Sequence, residues 1–162
     1  MATYQNQNQF GQSQELGALV LNPAANVVSA LINPSSTASV IQNGSPVKLI
    51  TGATNGGSGN GQALVDVVSD PPNDVLYGFI VYNLRKNSHS PGDTVEIAIA
   101  PSEIWLEASA AINRGTNVQS NASGPTVATN STSGQQFAGI AIGQVAAGSQ
   151  LIAIKIAPGK NP

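Results

Sequence analysis

Short apolar runs separated by turn-forming residues recur roughly every ten residues from Gly17 onward, and they constrain this chain more than any other feature. The runs are ALVL (18–21), NVVSALI (26–32), TASVI (37–41), PVKLI (46–50), QALVDVV (62–68), VLYGFIVYN (75–83), DTVEIAI (93–99), FAGIAIGQV (137–145) and SQLIAIKIA (149–157). Between them lie Asn43-Gly44, Asp70-Pro71-Pro72, Ser90-Pro91-Gly92-Asp93 and Ala147-Gly148-Ser149, which carry the chemistry of tight turns. Runs of this length, rich in Val and Ile, read as strands rather than helices. The expectation is an all-β fold: a small antiparallel β-barrel or sandwich with an extended N-terminal arm and at most short helical turns. Seventeen Gly, ten Pro and a largely aliphatic apolar content agree with many short strands and many turns.

One stretch, PSEIWLEASAAINRG (101–115), admits a helix as well. As a helix it would place Ile104, Trp105, Leu106, Ala108 and Ile112 on nearly every side of the cylinder. As a strand it separates Ile104, Leu106 and Ala108 from Glu103, Trp105 and Glu107. The preceding run behaves alike, with Val95, Ile97 and Ile99 on one side and Thr94, Glu96 and Ala98 on the other. Two strands hinged at Ala100-Pro101 are therefore expected, followed by one or two helical turns at most, closed by Gly115.

Residues 4–14, YQNQNQFGQSQ, are uncharged and lack an apolar period. They set a boundary between a flexible Gln/Asn-rich arm over residues 1–16 and a β-rich domain over 17–162. The arm is expected to order on a partner, with Tyr4 and Phe10 as the contact candidates.

Charge excludes several classes of function. Only 9% of the residues are charged and the net charge is −2, so no basic footprint for nucleic acid exists. No apolar run approaches the length of a membrane span, and the opening MATYQNQNQF has neither the basic start nor the apolar core of a secretory signal. The absence of Cys removes disulfides and thiolate metal sites, and a single His removes the usual imidazole clusters. The eight acids are dispersed, without a calcium-loop pattern. No metal, cofactor or membrane partner is expected.

Catalytic groups are as scarce. On one strand face, Glu103 and Glu107 stand about 13 Å apart, too far to act on one bond. His89 has Ser88, Ser90 and Asp93 nearby in sequence, but triads are assembled from distant segments by a rigid fold, so His89 reads as a turn residue. TGATNGGSGNG (51–61) lacks the Gly-Lys-Ser/Thr ending of a phosphate loop and reads as a hairpin connection. The sequons at Asn121 and Asn130 carry little weight without a secretory signal, and SNASGPTVATNSTSGQQ (120–136) reads as an exposed polar loop. A binding or structural role is expected rather than an enzyme.

Three stretches resemble a known family. GFIVYNLRKNSHSPGDTVEIAIAPSEIWLEASAAINRGTNV (78–118) looks like the central segment of the structural cement proteins of tailed-bacteriophage heads. GIAIGQVAAGSQLIAIKI (139–156) resembles their closing strand pair, and INPSSTASVIQNGSPVKLI (32–50) their opening β-segment. The resemblance implies a capsid decoration protein, made in the host cytoplasm, that binds the outer surface of the head. It implies a homotrimer that clamps neighbouring subunits of the major capsid protein. The arm and the loops at 52–61 and 120–136 have no counterpart in that family, so no contact residue carries over. The competing expectation is a carbohydrate-binding or adhesion module of a phage tail or spike, for which the chain offers only one Trp and three Tyr. A hydrolase resting on His89 is the third.

Overall fold

A computed structural model describes residues 15–20, 25–39, 41–50, 62–83, 85–122 and 124–162. The arm with Tyr4 and Phe10, and the Gly-rich stretch 51–61, lie outside the described residues. The all-β expectation holds. Among the described residues ten strands follow one another: β1 (Asn26–Ile32), β2 (Pro46–Leu49), β3 (Ala63–Val67), β4 (Gly78–Ile80), β5 (Thr94–Ile99), β6 (Glu103–Ala108), β7 (Asn117–Ser120), β8 (Thr126–Thr129), β9 (Gln136–Ala141) and β10 (Gln150–Lys160).

These strands close two barrels rather than one. The first ring runs β1-β3-β2-β4-β5 and the second β10-β6-β8-β7-β9. Renumbered from its own first strand, the second ring repeats the first. In each, the first and third strands pair parallel, and the other four contacts are antiparallel. The register repeats as well. Ile32↔Val65, Leu49↔Val65, Val47↔Gly78, Ile80↔Ile97 and Val28↔Ile97 have as counterparts Ala108↔Val127, Ser120↔Val127, Val118↔Gly139, Ala141↔Ile154 and Ile104↔Ile154. The chain folds the same five-stranded unit twice.

Two pairs of special backbone positions show why. Gly78 and Gly139 occupy the same place, opposite Val47 and Val118. A Cβ on either would fall well inside contact distance of a backbone carbonyl, that of Ala98 or of Lys155. Only glycine lets those strands approach so closely as the sheet coils shut. Gly44 and Gly115, with φ of +81° and +84°, turn the chain into β2 and β7, and each lies in a shared Ile-x-x-Gly-[Ser/Thr]-x-Val pattern. In that pattern Ile41 and Ile112, and Val47 and Val118, are all buried.

Alternation fills the barrels. Ile32, Val47, Val65, Ile80, Val95 and Ile97 fill the first. Ile104, Leu106, Ala108, Val118, Val127, Ile152 and Ile154 fill the second, so β6 follows the expected strand pattern, with Glu103, Trp105 and Glu107 only half-buried. Phe79 and Ala98 neighbour inward-facing Ile80 and Ile97, so their side chains leave the first barrel on its outer face. Both are fully buried and join the second barrel's core, together with Val68 and Leu76. The barrels thus share one apolar interface.

Several finer expectations are corrected. Thr37–Ser39 and Ile41 form no strand (Val40 is outside the described residues). There the Ser36 hydroxyl donates to Asp66 at 2.5 Å and the Asn33 amide donates to the same carboxylate, so local side-chain bonding replaces a ladder. Of the strand expected at 18–21, the described residues 18–20 show only an isolated bridge from Leu19 to Ile104. The stretch 120–136 is not one exposed loop, since it contains β8 with Val127 fully buried. After Ala108 no helical turn forms; Ile112 makes a bridge to Val145, and Gly115 takes φ +84°. The hinge itself holds a cis peptide at Ala100-Pro101.

Candidate functional site

The second barrel has a gap that the first does not. The β1–β3 ladder begins at Ala30↔Ala63, whereas β6–β8 begins one pair later, at Glu107↔Thr126. The residue standing where the first barrel has Ala63 is Pro125, which has no N–H to give. The flank of β6 is covered by residues 15–20 instead. Gly17 N–H donates to the Trp105 carbonyl at 2.7 Å, Trp105 N–H to Ala18 at 2.9 Å, and Val20 N–H to Glu103 at 2.9 Å. On the other side, Tyr82 N–H donates to the Gly17 carbonyl at 2.9 Å. This segment therefore straps the second barrel to the end of β4 in the first.

Between the strap and the first barrel opens a groove of about 900 Å³. Glu15, Ala18 and Leu19 form one wall; Ser29 of β1, Thr94 and Glu96 of β5, and Val81 and Tyr82 after β4 form the others. Leu19 and Val81, both half-buried, give it an apolar floor. Its rim is charged, in a chain that has few charges. It gathers three of the eight acids (Glu15, Asp93, Glu96), two of the six basic residues (Arg85, Lys86) and the one histidine, His89. A groove with an apolar floor and convergent polar groups is the form a binding site takes.

The loop 85–93 is fixed to the barrel by its own bonds. Lys86 pairs with Asp93, and Ser90 N–H donates to the same carboxylate at 2.7 Å. The hydrogen bond from Lys86, then that from Ser90, hold Asp93 below the usual carboxylate range. His89 N–H donates to the Ile41 carbonyl at 2.7 Å, while ring Nε2 lies 3.1 Å from Oδ1 of buried Asn43. Burial, then the Lys86 charge, lower the His89 pKa, so the ring is neutral near pH 7 and Nε2–H serves as the donor to Asn43. His89 is thus a strut behind the Asn43-Gly44 turn. The Asp93 carboxylate is engaged by Lys86 and Ser90 and the His89 ring by Asn43, so the neighbouring Ser, His and Asp are not assembled as a triad.

Elsewhere the sequence candidates remain apart. Glu103 and Glu107 lie on the outer face of β6, with Lys155 and Leu151 opposite them on β10. Asn121 donates to the Thr126 hydroxyl at 2.6 Å, and buried Asn130 donates to the Gln136 carbonyl at 2.8 Å. Among the described residues, no three His, Cys, Asp or Glu side chains gather to hold a metal. Sequence reasoning missed the groove because its walls come from segments some eighty residues apart, Glu15 to Glu96. The one available signal was the crowding of charge into residues 85–96 of a charge-poor chain.

No family model matches the chain, and no curated protein matches it. Among solved structures, the head fiber gp8.5 N base of bacteriophage phi29 is similar in fold, with a TM-score of 0.51 at 14% sequence identity. The likeness covers 85% of this chain and 98% of that one, so it extends over both barrels.

Proposed function

We propose that this chain is a structural protein of a bacteriophage virion, and more narrowly a cement or decoration protein on the outer surface of the head. The observation that carries the coarser reading is the likeness of the whole double barrel to the base of a phage head fiber, over 98% of that base's length. Resemblance of residues 32–50, 78–118 and 139–156 to the cement proteins supports the finer one.

The proposed partner is the major capsid protein, bound by a homotrimer seated where capsomers meet, with no nucleic acid, membrane or cofactor involved and no catalysis. Closed cyclic symmetry is the usual solution for such assemblies. Many copies on a repeating shell turn modest single contacts into strong attachment. Preference for the expanded shell then stabilises that shell by mass action.

The test is to mix the purified protein with expanded and unexpanded capsids, sediment them, and image the bound particles by electron cryomicroscopy. Density in trimers over the head surface, on expanded shells, is the expected outcome. Absence from the head surface, or density only at the tail, refutes the cement reading.

A further inference from the structure

We propose that the open flank of β1, at Val27 and Ser29, is where an extended, uncharged segment of the major capsid protein pairs with this chain as an added strand. This rests on the reading that the chain decorates a capsid. Ile32 N–H donates to the Asp93 carbonyl, so even-numbered residues of β1 bond toward β5 and odd-numbered ones face the other flank. On that flank β3 begins only at Ala63, opposite Ala30. Among the described residues nothing accepts the Ser29 N–H or donates to the Val27 carbonyl.

The second barrel shows the same flank filled. By register Val27, Val28 and Ser29 correspond to Glu103, Ile104 and Trp105. There Trp105 N–H donates to Ala18 and Val20 N–H to the Glu103 carbonyl, both at 2.9 Å, and the strap runs antiparallel to β6. Leu19 of the strap pairs with Ile104, which is fully buried. Among the described residues nothing plays that part for the first barrel. Val28 is left half-buried, Val27 is 39% exposed, and Asn26 and Ser29 are exposed. An unpaired flank of this kind is a template for a further strand. The strap also defines the occupant: extended and uncharged, as Gly17-Ala18-Leu19-Val20 is, with one aliphatic side chain turned over Val28. A second copy would have to bring its own residues 17–20, which each copy already uses on β6. The described strands close into two rings and leave none to lend, so the segment comes from the partner.

The test is amide exchange on the full chain, free and sedimented on expanded capsids, read by mass spectrometry over a peptide spanning 26–32. The Ser29 amide should exchange freely in the free protein and lose that exchange on the capsid. Ser29→Pro removes this N–H without removing a bond to β5, so it should weaken capsid binding about tenfold while amide protection in β5 stays as it was. Should that variant fail to fold, exchange in the wild-type chain decides alone. Slow exchange of Ser29 in the free protein would overturn the proposal, because the chain itself or a second copy would then fill the flank. Capsid binding with Ser29 still exchanging freely, or undiminished binding by folded Ser29→Pro, would overturn it and leave the decoration reading standing. Failure of the wild-type chain to bind any capsid would overturn both.

Discussion

The two barrels share topology and register but not the side chains that fill them. Where the first has Ile32 and Ile80, the second has Ala108 and Ala141; where the first has Ala30 and Val28, the second has Leu106 and Ile104. Bulk lost at one inward position is regained at another, so two different packings fill the same ring. Cores tolerate such exchanges when volume and patterning are kept. What does not vary is the backbone: Gly78 and Gly139 at the tight crossing, Gly44 and Gly115 at the turn, and a parallel first-to-third strand pair. The fold is specified by where the chain must bend and approach itself. The choice of aliphatic side chain is secondary.

The strongest test of this comparison lies where the two units touch. Phe79 belongs to the first barrel by its strand and to the second by its contacts, and it is fully buried. Phe79→Ala should therefore destabilise by about 3–5 kcal/mol. It should also raise amide exchange in β6 and β10, not only in β4 and β5. A denaturant titration with exchange measured strand by strand would show it, and unchanged protection throughout the second barrel would mean the units are energetically separate.

Next in size is the glycine pair. An added Cβ at Gly78 or Gly139 meets a backbone carbonyl, which cannot swing aside as a flexible side chain can. Gly78→Ala and Gly139→Ala should each cost about 3 kcal/mol, and by similar amounts. Chemical unfolding of the two variants side by side is the measurement. A large cost at one and tolerance at the other would show that the shared register hides a difference in how closely the strands cross.

Much of this architecture was legible in the sequence, and the unread part has a physical explanation. Strands such as NVVSALI and EIWLEA stand out because a β-branched or aliphatic residue occupies nearly every inward position. NVQS and TVAT do not, since in a four-residue strand Val118 or Val127 is the only large apolar side chain. Both were lost among polar neighbours. The duplication stayed hidden for a related reason: matching units share a short Ile-x-x-Gly-x-x-Val pattern and one strand glycine, while their cores compensate rather than repeat. The groove is a tertiary product, since only folding brings Glu15 into one cleft with Ser29 and Glu96. His89 reads in sequence as a turn residue, but it stands ahead of the Pro91-Gly92 turn, beside the Gln42–Ser88 bridge, and its bond to Asn43, forty-six positions away, was not legible.

The smallest effect tests the finest point of equivalence. The turn into β5 passes through Gly92 at φ +88°, and the turn into β10 through Ser149 at φ +60°. Their roles match: Gly92 N–H donates to the Ile32 carbonyl at 3.0 Å and Ser149 N–H to the Ala108 carbonyl at 2.8 Å. The second barrel thus places a side chain at a left-handed position where the first has none, at a cost of roughly 1 kcal/mol from the crowding of Cβ against the backbone. Ser149→Gly relieves that strain, but it also frees the unfolded chain and gives back part of the gain. The net expectation is a stabilisation of about 0.5 kcal/mol. Gly92→Ser should run the other way by a similar margin, since nothing lies within 4 Å of a Cβ built at Gly92, leaving backbone strain partly offset by a stiffer unfolded chain. Thermal unfolding of the two single variants and of the double exchange measures all three values. In the double exchange the changes should nearly cancel, and a double variant much weaker than wild type would show that the two turns, alike in hydrogen bonding, are held by different surroundings.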